Sequence, residues 1–151
     1  MDEQTQDFFA QLNAQRRGRG GKLPPPIAAT MGFELSDLGP GRAVLEMTVD
    51  ERHHNPMGTV HGGTLSDLAD AAMGLAHATQ LDADASQTTV ELKINFLRPL
   101  RKARIRAVAT VKRAGRTIGL TQCDILDEQD RLVAHAVATQ LVLRGEQAAG
   151  R

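Results

Sequence analysis

The 151-residue chain contains no tryptophan, no tyrosine, four phenylalanines and a single cysteine, and its 18 basic side chains match 18 acidic ones. Each shortage excludes something. Without Trp or Tyr there is no run of aromatic platforms on which bases could stack, which argues against a nucleic-acid partner. The balanced charge provides no basic field to hold a polyanion. Cys123 alone cannot close an internal disulfide, which fits a reducing compartment. It sits in a strand-like stretch with no base beside it, so it reads as a small buried hydrophobe rather than a catalytic thiol. No apolar run approaches the roughly 20 residues that span a bilayer. Arg16-Arg17 is followed by no hydrophobic segment, so no signal peptide is expected and a cytoplasmic location is.

The length suits one domain with a core of its own. Residues 1–26 read as an extension: a short helix over Asp2 to Gln15, the basic linker Arg16 to Lys22, then three stiff prolines. A domain is expected over residues 27–144 and a frayed, disordered tail over residues 145–151. Phe33 to Leu38 alternates apolar and polar residues, Gly39-Pro40-Gly41 turns the chain, and Arg42 to Val49 completes a hairpin. Later strands are expected over Gln87–Leu97, Ala103–Arg113, Arg116–Leu126 and Arg131–Leu143. The first of these puts Val90, Leu92, Ile94 and Phe96 on one face. One helix among antiparallel strands makes an α+β chain, in which a curved sheet wraps the helix.

That helix follows a polar loop, His53-His54-Asn55-Pro56-Met57-Gly58, and the triplet His61-Gly62-Gly63. It is rich in small residues, Ala69, Ala71, Ala72, Gly74 and Ala76, so neighbouring backbone can approach it closely. Gly74 costs about 1 kcal/mol of helix propensity relative to alanine, so packing placed it there. Thr64 and Asp67 match a capping box. Unpaired N–H groups and the dipole at a helix start favour an anion, or a carbonyl oxygen that becomes one. Asp70 lies between alanines, where a carboxylate must be partnered, shifted in pKa or turned to a cleft. Attack on an acyl carbonyl needs an oxyanion donor and a carboxylate; read alone, Gly62-Gly63 is either that donor through the Gly62 N–H or only a tight entry to the helix, and Asp70 is the candidate carboxylate with Asp67 as its rival.

Asn55, His61-Gly62-Gly63 and Asp70, with Val90-Glu91-Leu92-Lys93-Ile94-Asn95-Phe96-Leu97-Arg98-Pro99 and Gly115-Arg116-Thr117, resemble the signature of hotdog-fold acyl-CoA thioesterases. The match is to the PaaI-type branch related to 4-hydroxybenzoyl-CoA thioesterases, from about Ala28 to Leu143. The resemblance implies the hotdog fold and hydrolysis of an acyl-CoA, and no cofactor is expected; Met57, Met73, Leu65 and Leu68, read as a pocket lining, suit an aryl or medium acyl chain. It assigns carbonyl polarisation to Gly62 and places a hydroxyl near the attacking water at Thr89, with Thr88 beside it. It also implies that the carboxylate comes from the opposite subunit, hence a homo-oligomer with sites at the dimer interface, expected as a dimer of dimers. Gly74 departs from relatives that carry Ser or Thr one turn after the carboxylate.

Further readings remain open on sequence alone. Asp70 is the nucleophile or the general base. Asn55 positions water or substrate, or only turns the chain before Pro56. His61 orients the loop, polarises the carbonyl, or is structural. Gly63 and Met73, with Met57, Leu65 and Leu68, are candidate substrate contacts; Arg98, Arg101, Arg113 and Arg116 are candidates for the CoA phosphates or are solvated strand ends. His53, His54 and His61 with Asp70 lack a recognised zinc spacing. A non-catalytic acyl-CoA-binding module and a dehydratase using His77 are the rival functions.

Overall fold

Residues with an apolar position every second step form six strands, and every neighbouring pair is antiparallel. The computed structural model describes residues 25–82 and 84–148, and Asp7. Apart from Asp7, the expected N-terminal helix and basic linker lie outside these residues.

A short helix, α1 (Pro26–Met31), opens on a proline, whose missing N–H is no loss in a first turn, and stops at Gly32 with φ 78°. The hairpin β1 (Glu34–Gly39) and β2 (Arg42–Val49) follows. A 3-10 turn at Glu51–His53 and a loop lead into α2 (Gly62–Ala78), then β3 (Ala85–Phe96), β4 (Ala103–Ala114), β5 (Ile118–Leu126) and β6 (Leu132–Arg144). The order across the sheet is β1-β2-β4-β5-β6-β3. The chain therefore leaves α2, crosses to the far edge to lay down β3, and fills the middle last. No helix among the described residues is long and apolar enough to cross a membrane.

α2 lies against the sheet along a buried stripe of Leu65, Leu68, Ala69, Ala72, Met73 and Ala76. The same core holds Ile105, Ala107 and Ala109 of β4, Cys123 and Ile125 of β5, and Ala134, Ala136 and Ala138 of β6. Alanines on both surfaces let the helix sit close to the strands, while Leu68 and Met73 fill the remaining space. Truncating Leu68 to alanine removes about 2–5 kcal/mol at such a site. Thr79 ties the end of α2 to the β1–β2 turn, accepting from the Gly41 N–H at 2.7 Å.

Two expectations are corrected here. β3 does not alternate without interruption, because its register with β6 shifts between Thr89 and Glu91. Val90 is the extra residue of this bulge and is 56% exposed. Past the bulge the inward set changes from odd to even positions: Gln87 and Thr89 reach α2 before it, Leu92 and Ile94 pack on the core after it. The frayed tail is replaced over Gly145–Ala148 by a 3-10 turn that buries Ala148.

Candidate active site

The approach to α2 is a loop held by its own backbone and by one amide side chain. Asp50 begins it by accepting from the Arg52 N–H and pairing with the Arg52 guanidinium. That hydrogen bond holds the Asp50 carboxyl at about 2, although partial burial works the other way. Asn55 then accepts from the N–H groups of Met57 (2.9 Å) and Thr59 (3.3 Å), and its amide donates to the Thr59 hydroxyl. Its side chain is the frame of the turn, the local role expected of Asn before Pro56. The following loop, residues 97–102, lies alongside: Val60 N–H donates to the Leu100 carbonyl, and His54 Nε2 donates to the Arg101 carbonyl at 2.6 Å.

The helix start differs from the capping box expected at Thr64 and Asp67. α2 begins two residues earlier, at Gly62, and its cap is His61. His61 Nδ1 accepts from the Gly63 N–H at 2.8 Å, and its carbonyl accepts from Thr64 N–H at 3.0 Å. Imidazole was not read as a cap because Ser, Thr, Asp and Asn lead at that position; here the ring sits one residue before the glycine pair and reaches its second amide. Thr64 is buried inside the helix, and Asp67 is exposed in the second turn with no capping bond. Among the described residues the Gly63 and Thr64 amides have acceptors, while the Gly62 N–H has none. The Phe96 ring lies against Gly62, where a Cβ would come within 2.8 Å of its Cζ. A side chain at position 62 would therefore displace an aromatic ring.

Asp70 lies two turns further on, half-buried, and its Oδ1 accepts from the Thr89 hydroxyl at 2.8 Å. Of the two adjacent threonines it is Thr89 that reaches the helix, leaving Asp70 Oδ2 free of protein partners among the described residues. One turn after Asp70, Gly74 presents only its carbonyl, which accepts from Gln87. His77 is fully buried with Nδ1 on Gln87 Oε1, so it cannot meet a substrate as the dehydratase reading requires. Gly62 and Asp70 are eight positions apart on one helix, about 12 Å along its axis. They cannot both touch one carbonyl within a single chain.

Met73 is corrected: it is 0% exposed in the core and lines no cleft. Leu65 and Leu68 are likewise core residues, whereas Met57 is exposed. Arg98 and Arg101 lie before β4, beside the loop into α2, and Arg101 donates to the Gly58 carbonyl at 3.3 Å. Arg113 and Arg116 lie at the other end of this 12-residue strand, about 40 Å away by strand rise. The four do not form one patch on a protomer. The loop histidines each have their own partner, His53 on the Asp50 N–H, His54 on Arg101 and His61 on Gly63. Cys123 is enclosed, and burial, with the Asp124 charge, pushes its thiol up to about 12. Sequence reasoning missed Gln87 and the contact of Phe96 with Gly62. The only signal for Gln87 was a long polar side chain two residues before Thr89.

The Thioesterase superfamily model matches residues 57–134, from the loop through β3 and β4 to the start of β6. The acyl-coenzyme A thioesterase PaaI of Escherichia coli is 34% identical over 71% of this chain and 75% of its own length. The 1,4-dihydroxy-2-naphthoyl-CoA hydrolase of Listeria monocytogenes is 28% identical over 71% of this chain and 87% of its own. A solved thioesterase of Haemophilus influenzae superposes with a TM-score of 0.74 at 30% identity, covering 78% of this chain and 82% of that one. With the helix-wrapping antiparallel sheet and the open Gly62 amide, these likenesses place the chain: it belongs to the thioesterase superfamily, as a hotdog-fold enzyme of the PaaI type.

Proposed function

We propose that the chain hydrolyses the thioester of an aryl- or medium-chain acyl-CoA, releasing the free acid and coenzyme A, at a site shared by two copies of the chain. The observation that carries this reading is the Gly62 N–H at the start of α2, which has no acceptor among the described residues while the next amide is taken by His61. A thioester oxygen placed there gains a donor and the positive end of the helix dipole as it becomes an oxyanion. The carboxylate comes from Asp70 of a second copy, since about 12 Å of helix separates the two groups within one chain. Thr89 holds one Asp70 oxygen by its hydroxyl, and the other is left to attack the carbonyl carbon or take a proton from attacking water. Attack breaks the carbonyl π bond, and collapse of the oxyanion expels the thiolate of coenzyme A; where Asp70 itself has attacked, water then cleaves the acyl-aspartyl anhydride, releasing the free acid and restoring the carboxylate. A shared site of this kind supports a homo-oligomer, proposed as a dimer of dimers. The acyl-CoA substrate is supported by the named activities of the Escherichia coli and Listeria relatives.

The test is a panel of benzoyl-, phenylacetyl- and hexanoyl-CoA with thiol release as the readout. Turnover of at least one, abolished in Asp70→Asn, is expected. Binding without thiol release across the panel would instead make the chain an acyl-CoA-binding module. A single turnover in ¹⁸O-water tests the nucleophilic route: label in the Asp70 carboxylate requires an acyl-aspartyl anhydride opened by water at the aspartyl carbon, whereas label in the product acid alone is given by activated water or by opening at the acyl carbon.

A further inference from the structure

We infer that Gln87 is a positioning residue for the Asp70–Thr89 pair, clamping β3 to α2 through Gly74 and His77 so that the Thr89 hydroxyl meets the carboxylate. The inference rests on the hydrolytic role of Asp70 given above. Gln87 stands two residues before Thr89, on the same face of β3. Both ends of its amide are used on α2: Nε2 donates to the Gly74 carbonyl and Oε1 faces His77 Nδ1. Neither helix partner gives way easily. The Gly74 partner is a backbone carbonyl within the helix, and a Cβ at position 74 would make ordinary van der Waals contact with Gln87 Nε2 at 3.7 Å. His77 is fully enclosed, and its ring fills the place where Gly119 of β5 lacks a Cβ. Burial, against the Gln87 bond, lowers the His77 pKa and keeps the ring neutral. The Nδ1–H then donates to Gln87 Oε1, and Nε2 is a bare lone pair, which is the ring atom without a partner.

The ladder holds Thr89 from one side only, as the last residue before the bulge and opposite Gln140 of β6. Among the described residues β3 is an edge strand paired only with β6, and its register breaks directly after Thr89. The bulge frees the strand to bend at that point. The clamp one pleat upstream is a second attachment of this segment to the helix that carries Asp70, besides the Thr89 hydroxyl itself. A 1 Å misplacement of a catalytic group can cost on the order of 10²-fold in rate.

The experiment is a double-mutant cycle on the full chain between Gln87→Met and Thr89→Val, with kcat and KM for the best acyl-CoA of the panel and urea denaturation as a fold control. Gln87→Met should lower kcat at least about tenfold with KM within about twofold, and should add less than about twofold once Thr89 is Val. Gln87→Glu, which keeps the oxygen facing His77, should fall between; it replaces Met in the cycle if that variant does not fold. Unchanged kcat in Gln87→Met, or effects that multiply, overturn the clamp. Asp70→Asn is measured alongside. If it retains full activity, the reading beneath this inference fails and the clamp with it. If it is inactive while the Gln87 and Thr89 effects multiply, the clamp alone is wrong.

Discussion

Asp67 and Asp70 stand three residues apart on α2, and the fold treats them differently. Asp70 is half-buried with Thr89 on one oxygen; Asp67 points to solvent past the first helical turn. Asp70→Asn keeps shape and neutralises the group proposed to attack or to take a proton, so kcat should fall by about 10²-fold or more. Asp67→Asn should leave kcat intact and shift stability by less than about 0.5 kcal/mol, as surface changes do. A cap role for Asp67 would have cost about 1 kcal/mol, so urea denaturation of the two variants beside their kinetics distinguishes the cases.

At the scale of the element, α2 depends on its first turn and on its buried last turn. His61→Ala removes the acceptor for Gly63 N–H and should cost about 1 kcal/mol by urea denaturation. His61→Asn supplies an acceptor again and should recover both stability and turnover. Recovered stability without turnover would instead mean that the imidazole acts on the substrate. His77 makes the helix pH-sensitive. Burial lowers its folded pKa, partly offset by Gln87. Below the ordinary value of 6.5 the unfolded chain takes a proton that the folded chain refuses. The neutral ring's contribution is therefore complete above that pH and is lost as pH falls toward the folded pKa. His77→Gln should be less stable than the parent at pH 8, with a deficit that narrows below about pH 6.5. A deficit constant with pH would show that His77 does not titrate in this way.

Across the whole molecule, the Gly62–Asp70 separation predicts assembly. Light scattering should report a dimer or tetramer, and a fully active monomer at assay concentration would defeat the shared site. β3 presents a sheet edge among the described residues, with Val90 exposed in it and Leu97 exposed just past its end, which a second copy can cover. The arginines belong to this scale because β4 separates them. Arg98 and Arg101 lie beside the loop that leads to Gly62, so replacing both by alanine should raise KM for acyl-CoA with kcat little changed, and should reduce the rise of KM with added salt. The Arg113/Arg116 double variant should leave KM near the parent value. Kinetics against acyl-CoA and the matching acyl-pantetheine measure this, and an unchanged preference for the CoA form in the first variant would place the phosphates elsewhere.

What the sequence determined by itself was what short range dictates. Alternation marked the strands, small residues marked the helix that lies against a sheet, and the spacing of Asn55, His61-Gly62-Gly63 and Asp70 carried the family resemblance. These are patterns over a few residues, expressed through local backbone geometry. Tertiary structure decided the rest. The cap moved from Thr64 to His61 because His61 N–H is held by the His53 carbonyl, which orients the residue before the helix begins. Met73 went inward because α2 buries that stripe against β4 and β5. The bulge at Val90 and the choice of Thr89 over Thr88 depend on β6 and α2 together. The placing of β3 at the far edge, beyond strands that follow it in sequence, depends on pairings between distant residues. No local pattern encodes these, since the partner that selects each one arrives from elsewhere in the chain.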